Sequence, residues 1–137
     1  MSITYYASGS VLNNMFGGVS FSPPANYYIG LSTTTISSSG SNATEPTGGK
    51  GYARVGLANN KSNFTYSSSG SLYNNVDITF PVSTASWGTI SDVFLADTSA
   101  SATGNVWFYQ TLLSPKIVQD ATTVSFSASA ISFSMTN

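Results

Sequence analysis

The chain has 137 residues with five acidic and four basic side chains, a net charge of −1, and neither cysteine nor histidine. That length suits one domain with a real core, while a charged share of 7%, against the usual value of about 25%, excludes the basic footprint of a nucleic-acid binder. The missing cysteines and histidines exclude disulfides, thiolate metal sites and the commonest general base, and an aromatic content of 13% argues against intrinsic disorder.

Serine and threonine make up roughly a third of the chain, well above ordinary usage, so the surface is built from hydroxyls and amides. The opening MSITYYASGS has no basic n-region of the signal-peptide kind. No apolar run approaches the ~20 residues of a membrane span. A near-zero net charge offers little self-repulsion and favours association.

In chain order, the first predicted element is a short helix. SVLNNMF (10–16) sets Val11, Leu12, Met15 and Phe16 at helical spacing, with Ser8 or Ser10 as cap and Gly17-Gly18 as its end. Two turns do not persist alone, so this segment should dock its apolar side on its own domain or on a neighbour. Residues 1–18 are accordingly expected to form an N-terminal helical arm, and 19–137 a β-sandwich domain.

The remaining signals are β. NYYIGLS (26–32) is an aromatic and β-branched strand, and 33–51 reads as a long Ser/Thr/Gly loop. GYARVGL (51–57) is the next strand, NNKSN (59–63) a turn, FTYSS (64–68) a short strand and SSSGS (67–71) a loop. VDITFPV (76–82) alternates, with Val76, Ile78, Phe80 and Val82 on one face, and Pro81 makes its far end an edge. WGTISDVFLAD (87–97) and NVWFYQTLL (105–113) read as strands buried on two faces, joined by a hairpin loop at 97–105, with 114–121 as a connector. TVSFSASAISFSM (123–135) alternates but changes phase near Ser129-Ala130, which predicts a bulge or a strand that passes from one sheet to another. Short strands between Gly/Ser turns make the expected fold all-β, a single sandwich or jelly-roll-like domain behind the helical arm.

The chemistry-bearing candidates are few. GGKG (48–51) lacks the hydroxyl that follows the P-loop lysine, and a strand follows it instead of a helix, so a flexible turn is expected and not a phosphate cradle. Serines have no histidine to activate them. Asp92 and Asp97 are the carboxylates that could approach one another as a glycosidase pair, with turn chemistry as the bland reading. No catalytic residue, cofactor or metal site is therefore expected. Aromatic pairs stand out: Tyr5-Tyr6, Tyr27-Tyr28 and Trp107-Phe108-Tyr109. Neighbours in a strand face opposite sides, so one of each pair can be core and the other an anchor for a protein or a sugar ring. The candidate interface residues are Tyr5, Tyr6, Leu12, Met15, Phe16, Tyr28, Trp107 and Tyr109.

Three stretches resemble one family: YIGLSTTT (28–35), TEPTGGKGYARV (44–55) and DITFPVSTASWGTISDVFLADTSASATGNVWFYQTLLSPKIV (77–118). The family is that of small tailed-phage virion proteins variously labelled head decoration, minor tail or tail-fibre. Glu45, Pro46, Gly51, Tyr52, Ala53 and Arg54 match its loop-to-strand motif; Phe80, Pro81, Trp87 and Gly88 match its second motif; Pro115 and Lys116 match a connector. This chain departs from it by an extra residue pair in GGKG and a longer 97–105 loop. The resemblance implies a non-enzymatic virion structural protein on the particle exterior. The expected role is a capsid decoration (cement) protein contacting the major capsid protein and copies of itself, possibly as a trimer. The alternative is a tail-fibre or minor tail protein, or a glycan-binding receptor module; no nucleic acid or membrane partner is implied. Arg54 is expected to pair with Glu45 or a backbone carbonyl.

Overall fold

A computed structural model describes residues 1–135. The elements are β1 (Ser2–Ile3), α1 (Tyr5–Phe16), β2 (Asn26–Ser32), β3 (Val55–Ala58), β4 (Phe64–Tyr66), β5 (Leu72–Asn74), β6 (Ile78–Thr79), β7 (Gly88–Ala96), β8 (Val106–Val118), β9 (Ser125–Phe126) and β10 (Ser132–Phe133). They build a five-stranded sheet in the order β1-β8-β7-β2-β3, a three-stranded sheet β10-β5-β4 and a two-stranded sheet β6-β9, with every pairing antiparallel. The all-β expectation with one short N-terminal helix is met.

Layering follows from side-chain parity. Ile29 and Leu31 of β2 and Val93 and Leu95 of β7 face inward, where they meet Phe64 and Phe133 of the three-stranded sheet and Ile78 of the two-stranded one. Each such side chain contributes about 1.5–3 kcal/mol when fully buried. The opposite parity of β7, Phe94 and Ala96, faces outward but is covered by Ile36 and Ala43 of the 33–51 loop. That loop explains why β7 reads as a continuous apolar run.

Elsewhere the structure redraws the expected boundaries. The helix begins at Tyr5, five residues before the predicted start, because Thr4 caps it and neither Ser8 nor Ser10 does: Ala7 N donates to Thr4 Oγ1 at 3.3 Å. Thr4 is in turn anchored to β8, its N–H donating to Trp107 O and its hydroxyl to Val106 O at 2.7 Å. Gly17 and Gly18 end the helix as predicted, with Gly17 N and Val19 N both donating to Asn13 O. Ahead of the helix, Ser2 and Ile3 pair with Tyr109 and Phe108, and Met1 and Ile3 are buried in the core.

β3 is shorter than the predicted 51–57 strand, since its ladder starts only at Val55. Where the ladder would continue, the Tyr52 hydroxyl takes the N–H of Leu31 at 2.9 Å. β6 shrinks to two residues because the pairing slips past Phe80: Phe80 N still donates to Val124 O, but Ser83 N, not Val82 N, donates to Thr122 O; Val82, the fourth member of the alternating set, is 55% exposed. β8 runs through to Val118, so 114–118 is strand and not connector. It is not buried on both faces either: Gln110–Ile117 are mostly exposed. Between Ile90↔Lys116 and Asp92↔Thr111 the β8 side carries extra residues, and this bulge throws Leu113 fully into solvent.

The phase change in the last segment is a sheet switch. β9 pairs with β6, β10 pairs with β5, and the turn between them passes through Ser129 at φ +65°. Buried Asn74 organises that turn: its amide donates to Val76 O and Ser127 O, and its Oδ1 accepts from Ile131 N at 2.8 Å. Neither β5 nor this asparagine was apparent from sequence pattern.

Candidate functional site

The two resemblance motifs come together in space. Gly48, Gly49 and Gly51 adopt φ of +92°, +76° and +75°, so the GGKG stretch is the turn that its composition predicts. It delivers Tyr52 and Arg54 to Glu45. Arg54 and Glu45 form a bidentate pair, Nε to Oε1 at 2.9 Å and Nη2 to Oε2 at 2.8 Å, with side chains only 3% and 1% exposed. The Tyr52 hydroxyl donates to Glu45 Oε1 at 2.7 Å, and Ala102 N donates to Oε2. Arg54 Nη1 reaches the carbonyls of Thr98 and Thr103 at 2.8 and 3.1 Å, which ties the 97–105 hairpin loop to the clasp. Both expected partners of Arg54, the carboxylate and backbone carbonyls, are therefore engaged at once.

Electrostatics follow from that geometry. Burial pushes the Glu45 carboxyl up, but the hydrogen bonds from Arg54, Tyr52 and Ala102 more than offset it and hold its pKa below the usual value. Burial, followed by the negative charge of Glu45, pushes the Tyr52 phenol well above its ordinary range. The guanidinium lies 5.2 Å from the centroid of the Phe94 ring. That ring in turn lies on Gly30, where an added Cβ would meet Phe94 Cζ at 2.3 Å.

The second motif seals the other side. Tyr52 stacks on Phe80 and meets Trp87 edge-on at 5.3 Å. Trp87 Nε1 donates to Lys50 O at 2.8 Å, and Thr84 N donates to the same carbonyl. Pro46 is buried, whereas Pro81 and Gly88 are exposed, Gly88 opening β7 at φ +81°. Lys50 thus contributes its backbone, and the geometry around it is that of a packing motif.

The carboxylate pair separates. Asp92 is fully buried, its Oδ2 accepting from Ile36 N at 2.9 Å and Thr111 Oγ1 at 3.1 Å, while its Oδ1 has no partner. Asp97 accepts from Asn105 N and Nδ2 and from Trp107 Nε1. Burial raises its pKa, and the bonds from Asn105 and Trp107 outweigh that and lower it overall. Asp92 secures the 33–51 loop from within β7, and Asp97, just past the end of β7, secures the β7–β8 hairpin, so the two carboxylates serve separate sets of partners. Among the described residues no group of three or more acidic, histidine or cysteine side chains could hold a metal.

The eight candidate interface residues divide. Trp107 is 4% exposed and packs against Tyr6, Phe21 and Tyr27. A bulge between Leu95↔Phe108 and Ala96↔Val106 turns both Trp107 and Phe108 toward the core, which breaks the alternation assumed for that triplet. Tyr28 is half-buried beside Gly56, and Tyr109 is half-buried with its hydroxyl 3.2 Å from Ser38 Oγ. In contrast, Tyr5, Leu12, Met15 and Phe16 are exposed, Phe16 at 81%, and Tyr6 is 44% exposed although its ring meets Trp107 edge-on. Only Ala7 of α1 is buried. Val19 extends that apolar surface. Leu113 and Ile117 are further exposed apolar residues, invisible beforehand because a bulge is a property of pairing and not of one strand. Two open apolar clefts of about 410 and 400 Å³ flank β9 and β10.

A β-rich subunit whose motifs are packing devices, and whose docked helix leaves several large apolar side chains in solvent, has the features of a structural protein that works by contact. The family model described as podophage GP4 fiber I protein gp80 matches residues 2–134, and the chain belongs to that family. It is a phage fibre structural family, not an enzyme family, and its members are part of the virion exterior. No curated protein matches the chain. The family supports the tail-fibre reading better than the capsid-decoration reading.

Proposed function

We propose that the chain is a fibre subunit of the phage tail apparatus that joins its assembly through the apolar surface of α1. The observation that carries this reading is the helix itself. Thr4 caps it and β8 anchors it, yet Tyr5, Leu12, Met15 and Phe16 point away from the domain. No charged side chain occurs before Glu45, and interface cores are depleted in charge. The half-buried Tyr28 and Tyr109 favour packing over contact with a sugar ring.

The test is a Leu12→Glu/Phe16→Glu variant supplied during phage growth. Its purified form should keep its melting temperature, since neither side chain packs in the core, and particles should lack it. Full occupancy of the variant on virions would refute the reading. Deleting residues 1–18 is a poorer test, because it also removes β1 and the buried Met1 and Ile3. Counting copies per particle separates tail from head: a small multiple of the tail's rotational symmetry supports the fibre role, and hundreds of copies return the chain to capsid decoration.

A further inference from the structure

We propose that the open cleft between β8 and β9 is a second contact surface, and that its occupant is an extended apolar segment of a different protein, carrying a carboxylate that pairs with Lys116. The surface is built on the second half of β8, whereas α1 is anchored to Val106 and Trp107 in the first half. It therefore stands independently of the α1 contact.

The cleft measures about 410 Å³, within the range of ligand sites. Its floor is core: Leu31, Ile90, Val93 and Ile131 line it. Its mouth is made by the β8 bulge. Pairing with β7 jumps from Asp92↔Thr111 to Ile90↔Lys116, so residues 112–115 have no partner in the ladder, and Leu113 stands fully exposed. An apolar floor beneath an unpaired backbone suits an occupant that is itself a peptide. An extended chain presents alternate side chains to one side and brings N–H and C=O groups of its own to the rim. An acyl chain would cover the floor and leave the rim to water.

Charge complementarity supplies the occupant's second property. Lys116 is the one charged residue that lines the cleft. It sits opposite Ile90 in the ladder, and directly opposed residues put their side chains on the same face. Its stem thus follows the cleft wall while its ammonium stays at the mouth. Among the described residues the only ion pair is Glu45–Arg54, so Lys116 has no counter-charge within the fold. A second copy has little to offer it. Of the five acidic side chains, Glu45 is held by Arg54, Asp92 by Ile36 and Thr111, and Asp97 by Asn105 and Trp107. Asp77 accepts from Ala128 N and Asp120 from Ala121 N. A different chain is the better source of the carboxylate.

The experiment uses the full chain supplied during phage growth, with the photo-cross-linker p-benzoylphenylalanine in place of Leu113, or of the exposed rim residue Gln110 if the first label keeps the chain out of particles. Irradiated particles should give an adduct that mass spectrometry maps to an apolar segment of another virion protein, with an aspartate or glutamate beside it. Lys116→Glu should lower the adduct yield by ~tenfold or more, since like charges meeting at an interface cost several kcal/mol, and Lys116→Arg should retain it. Both variants should keep the melting temperature of the purified chain, because Lys116 is exposed. Labelled particles without an adduct overturn the proposal, as do an adduct to lipid or to a second copy and a yield that Lys116→Glu leaves unchanged. If any of these is found while Leu12→Glu/Phe16→Glu is still lost from particles, the cleft contact falls and the α1 contact stands.

Discussion

Replacing Arg54 with methionine isolates the energetics of the clasp. The substitution removes both hydrogen bonds to Glu45 and the two to the carbonyls of Thr98 and Thr103, but leaves a side chain of similar reach over Phe94. Glu45 would remain buried with only Tyr52 and Ala102 as donors. Breaking a buried pair from one side costs about 3–5 kcal/mol, because a charge is left uncompensated. With side-chain exposures of 3% and 1%, this pair belongs in that class and not with surface pairs, which contribute about 0–1 kcal/mol. Urea unfolding at neutral pH would measure the loss. The double variant Glu45→Leu/Arg54→Met removes both charges and should recover part of it, giving a coupling well outside additivity. A loss below about 1 kcal/mol for Arg54→Met, or strict additivity in the cycle, would show that the pair is effectively solvated and the reasoning wrong.

Other consequences are equally direct. Gly30→Ala would force the Phe94 ring off its seat and should cost about 1–3 kcal/mol, read as a lower melting temperature; an unchanged value would mean that ring and backbone are not in contact. Thr4→Val keeps the shape but loses the cap and the bond to Val106 O, and should cost about 0.5–2 kcal/mol with a matching loss of helical circular dichroism. Glu45 and Asp97 have folded pKa values below their ordinary ones. Their stabilisation is therefore complete above the unfolded carboxylate values of about 4 and is lost as pH falls through the lower folded values. Unfolding free energy should be flat from pH 7 to about 5 and drop below about 4; Glu45→Gln should flatten that acid limb, and an unaltered limb would remove Glu45 as its source.

How much of this was legible beforehand depended on the range of the interaction. NYYIGLS was read with the boundaries that β2 has, because an aromatic and β-branched run between a diproline and a polar loop is a local signal. The phase change near Ser129 was legible because side-chain parity along one strand reports which sheet it faces. The Glu45–Arg54 pairing could be anticipated because a lone arginine in so uncharged a chain needs a nearby carboxylate. β1, β5 and the exposed second half of β8 were not legible. Two- and three-residue strands carry too little periodicity, and the placing of Leu113 depends on extra residues in β8 relative to β7.

By itself, then, the sequence determined the all-β class, the helix with its Gly17-Gly18 stop, the turn at GGKG, and the absence of the residues that most chemistry requires. Those properties are set by composition and by neighbours a few positions apart. Only the tertiary structure decided that Trp107 is core while Phe16 is surface, that Asp92 and Asp97 serve two different loops, and that the two motifs form one packed unit around Tyr52. The physical reason is that burial and pairing belong to contacts between distant segments. A bulge, a covering loop or a cap supplied by the preceding strand can reverse what a local pattern says about which side of a residue meets water.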